Sequence, residues 1–107
     1  MAIKRIWHGW TTKENGEAYE RLLREEIFPG IAAKGIPGYL GIELLRRDLP
    51  GQVEFATIMT FESLDDLVAF QGDDYETSYV PDAARRVLER WDERSAHYEV
   101  RRVESYR

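Results

Sequence analysis

The chain contains two histidines, His8 and His97, and no cysteine. Imidazole titrates between pH 5 and 8 without help from its surroundings, so a general base for work near neutrality is sought first at these two positions. His97 is the first candidate; it stands beside Tyr98 and Glu99 near the C-terminal end. His8 is the second, inside the run IWHGWT (residues 6–11). The bland alternative for each is a strand residue satisfied by a neighbouring carboxylate or carbonyl. Two imidazoles with no Asp or Glu at ligand spacing make a weak metal site, and no metal is expected. The missing thiol removes disulfides, thiolate ligands and a Cys nucleophile. Three aromatic residues, Trp10, Tyr79 and Trp91, are candidates for a pocket wall. Flat ligands stack on such rings, and indole or phenol donors can hold a developing oxyanion. Trp91 also fits a helix stripe, which favours plain core packing, whereas Tyr79 lies in DDYETSYVP, a segment that reads as a loop able to close over a pocket. Arg46 is the candidate anion binder, with snorkelling to solvent or pairing across a dimer as its alternative. Asp65-Asp66 and Asp73-Asp74 read as helix N-terminal charge and a solvated loop, and neither is assigned a catalytic role.

The elements that must position these residues follow from pattern. A chain of 107 residues argues for one domain spanning 1–107. Ile3 to Trp10 reads as a strand, with Ile6, His8 and Trp10 on one face and Arg5, Trp7 and Gly9 on the other. Thr11-Thr12-Lys13-Glu14 has the spacing of a capping box. A helix is expected from about Thr12, with Ala18, Leu22 and Ile27 on its stripe beside Tyr19 and Leu23. Pro29-Gly30 should kink or break it, with one further turn through Ile31 to Lys34. Tyr39 to Asp48 is a second strand, placing Leu40, Ile42, Leu44 and Arg46 together. A tight connection at Leu49 to Gln52 returns the chain antiparallel into Val53 to Phe61. Ser63 caps a second helix whose buried side is Leu64, Leu67, Val68 and Phe70, and Gly72 ends it. Pro81 opens a third helix carrying Ala84, Val87, Leu88 and Trp91. Ser95 to Val103 is the closing strand, with His97, Glu99 and Arg101 on one face.

This order is an α+β, ferredoxin-like split βαβ plan: a four-stranded antiparallel sheet with helices on one face. The expected strand order has strands 1 and 3 in the middle, as in 4-1-3-2. Strands 1 and 4 are not expected to pair directly with each other, and a meeting of His8 with His97 stays open. Strand Val53–Phe61 is apolar on both faces, since Ala56 and Ile58 oppose the Val53, Phe55, Met59 and Phe61 set. Something must cover the second face, and a symmetry mate is the economical answer.

Composition sets further bounds. Twenty acidic against fifteen basic residues give a net charge of -5, which disfavours nucleic acid, because that binding relies on Lys and Arg neutralising phosphates. No apolar run approaches a membrane span, and MAIKRIWHGW lacks the apolar stretch of a signal peptide. A cytoplasmic location is the default expectation.

Four runs, IWHGWT, FPGIAAKGIPGYLGIELLRR, FATIMTFESLDDLVAFQG and HYEV, together resemble the antibiotic biosynthesis monooxygenase domain of the dimeric α+β barrel superfamily. The resemblance covers nearly the whole chain. It implies a homodimer with two sheets facing each other. It also implies cofactor-free oxygenation of a flat phenolic or quinonoid molecule, with His97 or His8 as base. Such chemistry needs the substrate to supply the electrons as an enolate or phenolate, one base poised near neutrality, and donors in an apolar pocket. The haem-degrading relatives place a His near the end of the second helix. Here LVAFQGDD has Phe70 and Gln71 in that stretch, so no haem or other cofactor is expected. The alternative reading is a non-catalytic dimeric module that binds or senses a small ligand.

Overall fold

Strict alternation builds the centre of the sheet. The computed structural model describes residues 2–106. Strand β1 (Ile3–Thr11) buries Ile3, Arg5, Gly9 and Thr11, and a repeat of two puts Trp7 on the same side. Strand β3 (Gln52–Phe61) buries every second residue, Val53, Phe55, Thr57, Met59 and Phe61. The two pair antiparallel from Ile3 opposite Phe61 to Thr11 opposite Val53, so both buried sets share the face under the helices. His8 and Trp10 therefore face away from it, and the two tryptophans of IWHGWT point to opposite sides, as their spacing requires.

Strand β2 (Tyr39–Leu49) lies on the outer edge of β3. The turn joining them relies on Gly51 at φ 79, a conformation that side chains with a Cβ rarely take. The alternation expected of β2 fails at its start. A bulge between Tyr39 and Gly41 puts Tyr39 opposite Phe61 and leaves Leu40 58% exposed, so Leu40 does not share the inward side of Ile42 and Leu44.

The other edge of β1 corrects two expectations. The third helix, α4, is a single turn (Asp82–Arg85). Leu88 and Trp91, read as its stripe, instead form strand β4 (Leu88–Trp91), paired with Gly9, Trp10 and Thr11 of β1. The closing strand β5 is shorter than expected (Ala96–Glu99) and pairs directly with Ile3 to Ile6. Because β3 occupies one edge of β1 along its whole length, β4 and β5 share the other. The sheet thus has five strands, in the order β2-β3-β1-β4 with β5 also on β1: four positions across, the last filled by two short strands. Asp92 bridges the gap. Its N–H donates to the His8 carbonyl at 2.9 Å, and its Oδ2 accepts the His8 N–H at 2.9 Å. A carboxylate thereby does what a backbone carbonyl would do in an unbroken strand. Residues 93–95 are drawn instead to the loop before α4, where Ser78 N–H donates to Glu93 O and Ser95 N–H to Glu76 O.

The first helix also departs from its sequence reading. Thr11 belongs to β1, and its hydroxyl donates to the Thr12 carbonyl. The Asn15 N–H is accepted by Thr12 Oγ1 at 3.1 Å, so the expected Thr11–Glu14 capping box does not form. Helix α1 (Gly16–Leu22) runs into a π-helical turn (Leu23–Ile27) and on into α2 (Phe28–Ala33). Pro29 therefore does not break the helix. It sits in the first turn of α2, where its missing N–H costs little, and the wide turn before it absorbs the mismatch. Helix α3 (Leu64–Gln71) is capped as expected, with Ser63 Oγ accepting the Asp66 N–H. Leu67 is its buried residue, whereas Leu64, assigned to the buried side, is exposed. The helices cover two apolar groups on one sheet face: Tyr19, Leu23, Val53, Phe55, Val80, Ala84 and Leu88, and Ile3, Met59, Phe61 and Leu67. The arrangement is the α+β, ferredoxin-like fold.

Candidate functional site

Between the helices and the sheet lies a cavity of about 330 Å³. The sheet supplies Arg5, Trp7, Ile42, Thr57 and Met59 to its floor. Tyr19, Leu23, Ile27, Phe28, Ile31 and Phe70 come from the helices, and Ser78, Tyr79, Val80 and Ala84 from the segment around the start of α4. The π turn contributes Leu23 and Ile27, so the widening of the helix happens at the cavity wall, a common place for such turns. The walls are mainly apolar and aromatic, the usual make-up of a small-molecule site, and Glu26 and Lys34 also line it from the helix side.

The principal charged group of the floor is Arg5, which the sequence reading did not single out. It is 5% exposed. Its Nη1 donates to the Tyr75 carbonyl and to His97 Nε2 at 2.8 Å. Nη2 donates to the Thr77 carbonyl at 3.4 Å, a long contact. All three acceptors are neutral, and among the described residues no carboxylate forms an ion pair with Arg5. Burial lowers its pKa to about 10, so the guanidinium remains charged at pH 7. A buried cation without a counter-ion is costly, and it is rarely placed without a use.

His97 sits behind Arg5. A guanidinium has donors only, so Nε2 must accept, and the imidazole is neutral with its proton on Nδ1. Its ring meets Tyr75 edge-on at 5.1 Å. Burial, then the adjacent Arg5 charge, pull its pKa below the ordinary 6.5, with Glu76 opposing. The native pKa is depressed, so the unfolded chain takes up a proton first as pH falls below 6.5, and the native state loses stability there. The loss stops once pH drops below the native value. Melting temperatures of wild type and His97→Gln should therefore diverge between pH 8 and pH 5, with the wild type losing more on acidification.

His8 is arranged differently. Its Nδ1 donates to Asp92 Oδ2 at 2.8 Å, the orientation that leaves Nε2 as the acceptor, and its ring stacks on Trp10 at 6.0 Å. This is a carboxylate-oriented imidazole, but on the sheet face away from the cavity. Trp10 shares that face. Its Nε1 donates to Glu54 Oε1 at 3.1 Å, and the Arg90 guanidinium lies 3.7 Å from the ring centre. Trp91 packs beside the Tyr19 and Phe55 group, with Arg85 over its ring. Arg46 pairs with Glu17 at 2.8 Å, Glu20 at 3.1 Å and Asp48 at 3.4 Å. Glu17 foremost, then Glu20, hold its pKa above the ordinary arginine value. Its charge is thus engaged at the surface. Of the six residues selected from sequence, the cavity gathers one directly, Tyr79, which stands 80% exposed at its mouth. A second, His97, reaches it through Arg5.

No family model matches the chain, and no curated protein matches it. Solved structures do. One from Bacillus cereus, named a "putative" antibiotic biosynthesis monooxygenase, aligns over 100% of this chain and 98% of its own at 13% identity and TM-score 0.66. One of the same name from Nitrosomonas europaea covers 94% of this chain and 90% of its own, at 14% identity and TM-score 0.63. A third, from Deinococcus radiodurans, covers 100% and 99%, at 15% identity and TM-score 0.62. The resemblance read from the four sequence runs therefore holds as a likeness of fold. At these identities fold is all it carries.

Proposed function

We propose that the protein is a cofactor-independent monooxygenase acting on a flat phenolic or quinonoid small molecule, bound in the cavity between helices and sheet. The observation that carries the reading is the buried guanidinium of Arg5, without a carboxylate partner, in the floor of an apolar cavity. A phenol or enol placed there would give its proton to His97 Nε2 as the substrate oxygen takes the place of His97 on Arg5. The guanidinium then holds the oxyanion in a site sheltered from water. The electron-rich anion is the reductant for oxygen. At an anthrone-like methylene the balance is CH₂ + O₂ → C=O + H₂O: both C–H bonds and the O–O bond break, a C=O bond forms, and the second oxygen leaves as water with the two hydrogens. The name shared by the solved structures of like fold supports this reading.

The uncovered sheet face supports a homodimer. Ile6, Ala56 and Ile58 share it, and Leu45 on the same side is 47% exposed. No helix among the described residues is long and apolar enough to cross a membrane, and a cytoplasmic dimer without nucleic-acid partners is the setting we assign.

One observation favours the alternative, a non-catalytic dimeric ligand-binding module: both imidazoles already have partners, His97 with Arg5 and His8 with Asp92. Oxygen uptake over a panel of anthrones and dihydroquinones separates the two. Uptake above the spontaneous rate that His97→Ala removes and His8→Ala retains is the expected result. Loss in His8→Ala alone would move the chemistry to the opposite sheet face. Ligand binding without uptake would leave the module.

A further inference from the structure

The guanidinium of Arg5 is not fully used by the protein. Nη1 spends both hydrogens, on the Tyr75 carbonyl and on His97. Nη2 spends one, on Thr77. Nε–H and the other Nη2 hydrogen have no acceptor among the described residues. Yet none of those residues holds a side-chain nitrogen that is both fully buried and unpartnered. Nε is therefore open, in a side chain that is 5% exposed and lines the cavity. The Nε–Nη2 edge of a guanidinium presents two parallel N–H groups, the fork that matches two oxygens of one carboxylate.

Resting on the proposed cavity site, we infer that Arg5 makes this protein selective for aromatic carboxylic acids. The carboxylate engages the Nε–Nη2 edge and the ring system lies against the apolar walls. The bound anion supplies the counter-charge that the fold omits, so the cost of burying Arg5 is offset only in the complex. Three neutral acceptors, rather than a carboxylate, hold the side chain in place without cancelling its charge. In the unliganded protein His97, as a neutral acceptor, holds one end of the guanidinium and leaves the Nε–H without a partner. The same selectivity would serve the oxygenase and the binding module.

The test uses two probes of nearly equal shape, 2-naphthoate and the neutral 2-naphthamide, with affinities read by calorimetry on the intact protein at low salt. Naphthoate is expected to bind at least about tenfold tighter than naphthamide, in keeping with a bidentate charge-assisted pair. Arg5→Gln is expected to erase that preference, with naphthoate affinity falling to about that of naphthamide. Arg5→Lys keeps the charge and loses the fork, and should retain only part of the preference. If Arg5→Gln does not fold, the wild-type probe comparison and the lysine variant still decide. Equal binding of both probes to the wild type would overturn the carboxylate assignment and leave the cavity reading standing. A preference that survives in Arg5→Gln would do the same. Failure of both probes to bind at millimolar concentration would overturn the ligand cavity itself, and this inference with it.

Discussion

Arg5→Gln is expected to lower substrate-dependent oxygen uptake by about 10²- to 10³-fold, the usual effect of removing one preorganised donor from a developing oxyanion. Glutamine keeps a polar head near the Tyr75 carbonyl and His97, so folding should survive better than with an apolar replacement. The loss should fall on kcat as well as KM, because the oxyanion is more charged than the bound phenol and gains more from the cation. Steady-state uptake with the variant and wild type at matched folded fraction checks this. A variant that keeps wild-type kcat would show that Arg5 does not hold the reacting oxygen.

Phe55→Ala should give the largest loss of stability, about 3–5 kcal/mol. Phe55 is 0% exposed and lies at the centre of β3. Its ring meets Tyr19 edge-on at 5.0 Å, and the Arg46 guanidinium covers it at 5.7 Å. Truncation removes the aromatic contact and leaves a hole that neighbours from three elements cannot fill together. Because β3 is flanked by β1 and β2 along its length, the backbone there has little freedom to relax. Urea denaturation checks this through the midpoint at unchanged slope. A loss below about 1 kcal/mol would mean that the cavity side of the core already repacks freely.

The parts of the fold that were legible in the sequence are those set by local period. β1 and β3 alternate, and that alone places Trp7 and Trp10 on opposite faces; the split βαβ order of elements then puts strands 1 and 3 at the centre. The misread parts depend on distant pairing. Ala84, Val87, Leu88 and Trp91 fall at spacings a helix would accept. The open edge of β1 at Gly9 to Thr11 nevertheless recruits Leu88 to Trp91 into the sheet, and tertiary pairing overrides so short a pattern. The site was half legible for the same reason. That His97 faces Arg5 follows from the register of β5 on β1, which no local pattern encodes. Arg5 itself left a signal that was passed over. It stands between Ile3 and Trp7, on the side of β1 that the helices cover, and a charge on a buried face is itself a marker of function.

If chemistry takes place in the cavity above Arg5, filling that cavity stops it. Ala84 lines that cavity and is 2% exposed, so Ala84→Phe would occupy the space from the α4 side while Arg5 and both histidines remain unsubstituted. The measurement is oxygen uptake on an anthrone substrate by wild type and by this variant, with folding checked by near-ultraviolet circular dichroism. Uptake above the spontaneous rate in the wild type and its loss in a folded Ala84→Phe protein are expected. Full uptake by the filled variant would place the chemistry outside the cavity.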